Sequence, residues 1–245
     1  MKTDHVVEPF RFKKFTVAQD RCKMKVGTDG VLLGAWSRVD GHQKGLDIGT
    51  GTGVIALILG QRSEELRIAG VEIDQDSCQQ ASENFEAAPW SNRLKIIDGS
   101  IQDYASNTQD QYDLIVSNPP FFTGGTISHS QDRNDVRHTI KLSHTDLLRS
   151  VQKLLTPQGK FNIVLPLIEG LRFVELAETY NLRLSRRQGV RPKVSKPVSR
   201  LLLEFQKGEG DLLEEVDLVI QNEEGRNNWT TQYQDLTRDF YLHME

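Results

Sequence analysis

Gly45-Leu46-Asp47-Ile48-Gly49-Thr50-Gly51-Thr52-Gly53 is the stretch on which the fold turns. Four residues of buried-strand character run into three glycines at alternate positions, and an apolar helical segment, 54–61, follows. A strand that meets glycines and then a helix is the first half of a parallel β-α unit, and the rhythm continues outward. Segments 67–72, 94–97, 112–116 and 160–165 read as further strands. Segments 74–87, 145–155 and 168–180 read as helices, with Asp74 as an N-cap, Pro89 as a stop and Pro157-Gln158-Gly159 as a turn. From 182 the rhythm changes. Segments 182–190 and 198–205 are strands joined by a proline-bearing loop without a crossover helix, which predicts an antiparallel hairpin at the sheet edge. A short strand at 216–220 and a helix over 229–242, with Tyr233, Leu236 and Phe240 at helical spacing, follow. Before the first strand, 28–36 reads as a helix capped by Thr28 or Asp29. The expectation is an α/β fold with a mostly parallel seven-stranded sheet and an antiparallel edge hairpin. Residues 1–245 form one domain, in which 1–40 is an N-terminal extension covering the site.

With 245 residues the chain can bury a substantial core. A net charge of −4 argues against a protein that coats nucleic acid through bulk charge, although local patches can be basic. Cys22 and Cys78 match no metal or redox spacing, which favours a reducing compartment. The first ten residues carry no apolar leader and no apolar run reaches membrane length, so a cytoplasmic location is expected. His138 and His144 lack accompanying Cys or carboxylate spacing, and no metal is expected.

The glycine loop carries the first piece of chemistry. Its pattern is D-x-G-x-G-x-G, whereas a nicotinamide fingerprint reads G-x-G-x-x-G and offers amides to a pyrophosphate. S-adenosylmethionine (SAM) has no phosphate but has an α-ammonium, for which Asp47 is a partner. Gly49, Gly51 and Gly53 let the backbone approach a ligand closely. Glu72, ending the second strand, is placed to accept from ribose hydroxyls, and Ile73 beside it is assigned to the same site. Asp98 and Ser100, past the third strand, sit where a polar group meets the adenine edge; a loop-capping role explains them equally well.

The second piece is Asn118-Pro119-Pro120-Phe121, directly after the strand at 112–116. Two prolines stiffen the backbone, and the residue before each is pushed away from helical conformation, fixing the carbonyl directions. An exocyclic amine conjugated to a ring is a poor nucleophile because its lone pair is delocalised. The Asn118 side-chain oxygen and the Pro119 carbonyl can take its two hydrogens and aim the lone pair at a sulfonium methyl, which is catalysis by orientation and fixed dipoles. Phe121 can stack on a base that has left its own stack. The alternative is an ordinary Asn-Pro-Pro turn.

The combination resembles class I SAM-dependent methyltransferases acting on amino nitrogens, whose Rossmann-like sheet carries an N-P-P-F or N-P-P-Y motif at the end of the fourth strand. More closely, Phe15-Thr16-Val17, the run from Lys25 through Gly27, Thr28 and Asp29 to Trp36, Arg133 to His138, Arg191-Pro192-Lys193-Val194-Ser195-Lys196-Pro197 and Asp239-Phe240-Tyr241-Leu242 look like the bacterial adenine-N6 methyltransferase family that modifies valine tRNA. The resemblance covers nearly the whole chain. It implies N6 methylation of adenosine 37, beside the anticodon, with tRNA (the anticodon stem-loop) as partner and no membrane. It also implies that Lys25 to Asp29, with Lys25, Gly27 and Thr28 as cofactor-binding residues, helps close over the methionine end of SAM; a glycine-bearing loop that only caps the following helix is the other reading. One departure is Ser100, where such enzymes often have Asp.

Arg183, Arg186, Arg187, Arg191, Lys193, Lys196 and Arg200 form a run with no acid among them, a candidate phosphate-binding patch whose affinity should fall steeply with salt. Arg137 and His138 are placed at the substrate entrance. A second cluster, Arg11, Lys13, Lys14, Arg21, Lys23 and Lys25, interleaves with Phe10, Phe12 and Phe15, which can stack on unpaired bases or simply fill the core. Competing readings are a guanine-N2 methyltransferase of ribosomal RNA, a glutamine-amide methyltransferase of a protein, a nicotinamide oxidoreductase and a non-catalytic RNA-binding protein. The oligomeric state is expected to be a monomer or weak dimer.

Overall fold

The computed structural model describes residues 7–120, 142–225 and 227–244; Phe121, Arg137 and His138 therefore lie outside the described residues. The chain opens on a two-stranded antiparallel sheet, β1 (Phe10–Arg11) with β2 (Thr16–Val17), and a helix, α1 (Thr28–Trp36). Alternation then begins: β3 (Lys44–Ile48), α2 (Val54–Arg62), β4 (Arg67–Glu72), α3 (Gln75–Glu86), β5 (Leu94–Asp98), α4 (Ile101–Asn107) and β6 (Tyr112–Ser117). After it come α5 (His144–Leu154), β7 (Leu155–Pro166), α6 (Leu167–Glu178), β8 (Leu182–Lys193), β9 (Arg200–Lys207), β10 (Leu213–Gln221) and α7 (Thr231–Thr237).

The large sheet has the order β10-β8-β9-β7-β6-β3-β4-β5. From β3 the chain winds outward through β4 to β5, then returns to β6 on the other side of β3 and winds out through β7. The β3/β6 boundary is thus a topological switch point, where connections leave in opposite directions and a crevice opens at the strands' carboxyl ends. Side chains alternate between faces. Leu114 and Val116 join the core under α1 and α2, with Leu32, Leu33, Leu57 and Ile58. Ile115 points the other way, into the core with Leu147, Leu148, Phe161, Phe173 and Phe205. Helix α1 lies close to α2: a Cβ on Gly34 would fall 2.9 Å from the Ile58 side chain.

Four features correct the sequence-based picture. Among the described residues the large sheet has eight strands rather than seven, and the hairpin is not its edge. Strand β9 inserts antiparallel between β7 and β8, and β10 extends the sheet by pairing parallel to β8. The turn expected at 157–159 is a register irregularity within β7, whose pairing jumps from Tyr112↔Leu155 to Leu114↔Lys160. The terminal helix is shorter than its periodicity predicts, α7 starting after the Thr230 cap and ending at Thr237.

Strand β10 changes the electrostatics of its neighbour. Arg186 is buried, its Nη2 donating to Glu204 at 3.0 Å and to the Trp36 carbonyl at 3.2 Å. Its guanidinium stacks 3.6 Å from the Trp36 ring centroid, and Nη1 lies 3.5 Å from Glu215. Trp36 Nε1 donates to Glu215 at 2.7 Å. This cluster bolts the end of α1 to β8, β9 and β10. Removing one member of a buried ion pair strands the other charge, at a cost of roughly 3–5 kcal/mol. Arg186→Ala should therefore lose about that much stability in urea denaturation; a midpoint unchanged from wild type would contradict the assignment.

Candidate active site

The register of the central strands explains how two distant motifs meet. Ile48 on β3 faces Ser117 on β6, so Gly49 and Asn118 leave the sheet side by side, with neighbouring strands about 4.8 Å apart. The Ser117 hydroxyl donates to the Ile48 carbonyl at 2.9 Å and ties the two strand ends together.

Gly49, Gly51 and Gly53 all take positive φ, of 70°, 55° and 83°, a region that side chains disfavour. The loop curls back onto β4: Gly49 and Thr50 amides donate to the Val71 carbonyl, at 2.9 and 3.1 Å. The Gly51 amide donates to Glu72 Oε2 at 2.9 Å, while Glu72 Oε1 accepts from the amides of Ile73 and Asp74. Glu72 is thus held by three backbone donors at the lip of the crevice. A Cβ at Gly49 or Gly51 would meet nothing within 4 Å, so open space lies above the loop. At Gly53 a Cβ would fall 2.5 Å from the Phe85 ring, so that glycine is required by packing.

Asp47 is fully buried. Its Oδ2 accepts from the Thr50 hydroxyl at 2.7 Å and the Ala56 amide at 3.3 Å, and its Oδ1 has no hydrogen-bond partner. Loss of hydration pushes the carboxyl from 3.8 up to about 7, against the opposing pull of Thr50 and Ala56. A buried carboxylate oxygen without a donor is an open demand for a cation or a proton.

Asn118 is half-buried, with Pro119 buried and Pro120 exposed. Its Oδ1 is buried and, among the described residues, has no hydrogen-bond partner. The carboxamide nitrogen lies close to α1, 3.8 Å from the position of a Cβ on Gly30. An amide oxygen kept dry and unpaired at a crevice is what an incoming amine would satisfy.

The remaining sequence-derived residues divide. Ile73, apolar and 47 % exposed beside Glu72, offers a contact surface for a planar group. Asp98 is exposed at the end of β5, opposite Glu72 in register. Ser100 serves as the cap of α4, accepting from the Asp103 amide at 3.0 Å. Lys25 closes its own loop onto the Cys22 carbonyl at 2.9 Å, and Gly27 is the N-cap of α1 without a side-chain cap bond. Thr28 follows as the first helical residue, and exposed.

A residue absent from the sequence-derived set joins the extension to the loop. Asn84 on α3 donates to the carbonyls of Thr52, at 2.8 Å, and Ala18, at 2.9 Å, and accepts from the Ala18 amide at 2.9 Å. The signal in the sequence is a lone Asn between Ala81 and Phe85 on a helix face that the structure buries.

The basic run 183–200 does not survive as a unit. Arg186 is removed from the RNA-binding set, because it is buried and paired with Glu204 and Glu215. Arg187 is paired with Glu214 and Arg200 with Asp29. Lys193 donates to the Glu223 carbonyl and Arg191 to the Lys196 carbonyl, leaving Lys196 exposed at the turn. The acids come from β9, β10 and α1, which a linear reading of 183–200 omits. Phe12 and Phe15 are likewise core residues, stacked with ring centroids 4.5 Å apart. Among the described residues, no group of three or more His, Cys, Asp or Glu is arranged to hold a metal, and no helix is long and apolar enough to cross a membrane.

A doubly wound sheet with a glycine-lined, acid-edged crevice at its switch point, beside an Asn-Pro-Pro strand end, is the architecture of a class I methyltransferase, whose methyl donor is SAM. The methyltransferase small domain family model matches residues 24–172, and the chain belongs to that family. A Proteus mirabilis protein named tRNA1(Val) (adenine(37)-N6)-methyltransferase is 43% identical over 238 residues, covering 96% of this chain and 94% of that protein. A Trichodesmium erythraeum protein of the same name is 46% identical over 235 residues, covering 95% and 97%. Among solved structures, a predicted O-methyltransferase from Agrobacterium tumefaciens superposes with a TM-score of 0.68 at 16% identity, over 86% of this chain and 96% of its own. A putative RNA methyltransferase from Pyrococcus horikoshii does so with a TM-score of 0.51 at 15% identity, over 72% and 79%. At these identities the superpositions establish the fold alone.

Asp47 makes a pH-dependent contribution to stability. Below about 4 the carboxyl is protonated in both folded and unfolded chains; between about 4 and 7 only the unfolded chain has released the proton. Its contribution therefore falls as pH rises through that window and levels off above it. Asp47→Asn should remove this slope, so that the variant gains on wild type from about pH 4 to pH 7 in urea denaturation. Parallel profiles would contradict the assignment.

Proposed function

We propose that the protein methylates the exocyclic N6 of adenosine 37 in valine tRNA, taking the anticodon stem-loop as substrate and SAM as donor. The observation that carries the reading is the unpartnered Asn118 Oδ1, one strand from the open space above Gly49. The relatives' names supply the RNA and the position.

SAM supplies a methyl carbon made electrophilic by its sulfonium, which leaves as a neutral thioether. Everything else falls to the chain. The glycine loop gives a close backbone surface, Glu72 an acceptor for ribose hydroxyls, and Ile73 an apolar contact for the adenine. Asp47 faces the ammonium end of the donor through its free Oδ1, and residues 1–40, tied down through Asn84, cover the site with Lys25, Gly27 and Thr28 at its margin. Asp98 and Ser100 contribute at the adenine edge, Ser100 only by releasing its cap.

The target adenosine leaves its stack to reach the crevice. Asn118 Oδ1 and the Pro119 carbonyl then accept the two N6 hydrogens. In that geometry the nitrogen lone pair turns out of conjugation and towards the methyl carbon. The N–C bond forms as the C–S bond breaks, and N6 afterwards loses one proton to solvent. Both acceptors are fixed before the reaction, so little reorganisation is needed. Phe121, Arg137 and His138 are assigned to base stacking and the substrate entrance. Half-buried Arg191 and Lys193 and exposed Lys196 reach the phosphates more weakly than a bare basic run would, because their neighbours are paired.

Incubating the protein with valine tRNA and labelled SAM, followed by nucleoside mapping, should give N6-methyladenosine at position 37; label in guanosine or in protein would overturn the proposal. Removing a preorganised dipole of this kind costs roughly 10²–10³ in kcat. Asn118→Ala should lose about that much while keeping its SAM dissociation constant within about twofold by calorimetry. Undiminished turnover would take Asn118 out of the mechanism.

A further inference from the structure

At the N-terminal end of α1 a cavity of about 250 Å³ opens between the N-terminal hairpin and the C-terminal tail. Phe10, Val26, Trp229, Tyr233, Tyr241 and Met244 line it, and Gly27 and Thr28 complete the wall. The rings form a linked set: Trp229 to Tyr233 at 5.3 Å, Tyr233 to Tyr241 at 6.5 Å, and Tyr241 to Phe10 at 6.2 Å between centroids. Tyr233 and Met244 are buried, whereas Phe10, Trp229 and Tyr241 are half-buried and keep ring surface open. The walls are held from both chain ends. Phe12 bridges to Tyr241, the Lys13 amide donates to the Phe240 carbonyl at 2.8 Å, and Lys13 Nζ donates to the Met244 carbonyl at 2.6 Å.

Three observations say what fits there. The volume lies just under the range of roughly 300–1,000 Å³ typical of small-molecule sites, enough for one planar ring system and too little for a folded partner. The walls are aromatic, and base–aromatic stacking is tolerant of sequence because every base has a π-face. Exposed cations adjoin the wall in the chain: Arg11 follows Phe10, Lys13 Nζ reaches the carbonyl of Met244, Lys14 comes next, and among the described residues none of the three has an ion-pair partner. This contrasts with the 183–200 run, where Arg186, Arg187 and Arg200 are neutralised. The cavity and Asn118 flank the first turn of α1. Thr28 in the wall and Gly30 beside Asn118 are two residues apart, about 3 Å along the helix axis and roughly 200° around it, so the two places lie on opposite sides of the same helix end.

We propose that this cavity holds an unpaired RNA base neighbouring the methylated adenosine, so that the enzyme grips two nucleotides of the loop rather than one. The inference rests on the function proposed above and adds a subsite to it. Residues 26–28 form its wall and also belong to the loop assigned to the cofactor margin, so filling the cavity steadies that margin. Arg11 and Lys14 then meet the adjoining phosphates.

The test is RNA binding by fluorescence anisotropy, using a labelled valine-tRNA anticodon stem-loop and stem-loops abasic at the nucleotide on either side of adenosine 37. Trp229→Ala should weaken binding of the intact stem-loop about tenfold, the low end of what stacking on one base provides. Trp229→Phe, which keeps a ring, should restore most of it. SAM affinity should stay within about twofold in both variants, which reports an intact domain. One abasic stem-loop should bind wild type about tenfold more weakly and show no further loss with Trp229→Ala. The cavity assignment is overturned if Trp229→Ala binds as wild type does, or if the losses from variant and abasic RNA multiply. Tight stem-loop binding by wild type without methyl transfer to it would overturn the proposed reaction and leave the cavity assignment standing.

Discussion

The pairing of β3 with β6 in one particular register is the constraint from which the site follows. Because Ile48 stands opposite Ser117, the glycine loop and the Asn-Pro-Pro corner emerge together from a sheet whose connections part at that point. The Ser117 hydroxyl, bonded to the Ile48 carbonyl, locks the two ends at the last paired residue. A one-residue slip would turn Leu114 and Val116 out of one core and Ile115 out of the other. Hydrophobic burial on both faces therefore sets the spacing between the loop and Asn118. The precision of the site is a by-product of the packing beneath it.

Around that seam the polar groups are distributed unevenly. Glu72 is held by three backbone amides, which fixes the lip of the crevice and leaves it acceptor capacity, while among the described residues Asp47 Oδ1 and Asn118 Oδ1 have no partners. Buried polar atoms ordinarily find partners within the protein, and these two, at the ends of adjacent strands, keep acceptor capacity at the crevice. The N-terminal segment is anchored to this arrangement by Asn84, which grips Ala18 and Thr52 with the same carboxamide. Its attachment links the extension mechanically to the cofactor loop.

Much of the fold could be read from the chain. The strand–glycine–helix pattern at 45–61 and the Asp74 cap were visible because they depend on local periodicity and on a side chain meeting its own backbone. Helix α4 was not, since its single turn or two carries only Ile101 and Ala105 inward. The place of β9 was hidden for a different reason: nothing local tells a hairpin that its second strand will slip between its first and β7. At the site, the three glycines were legible because positive φ favours that residue type, and Asn118 because it sets a side-chain acceptor on a strand end stiffened by two prolines. The basic run was misread because its neutralising acids, Glu204, Glu214 and Glu215, lie across strands rather than along the chain. Phe12 and Phe15 are equally ambiguous in the sequence, because what covers them, Tyr241 over Phe12 and Trp90 against Phe15, lies far away in the chain.

A crystal structure with sinefungin and an adenosine-37 stem-loop would locate the reacting groups. The adenine N6 is expected within about 3.2 Å of both Asn118 Oδ1 and the Pro119 carbonyl, with the donor amine lying over Gly49 and Gly51. An adenine seated elsewhere, with Asn118 Oδ1 satisfied by a donor from the protein itself, would contradict this geometry.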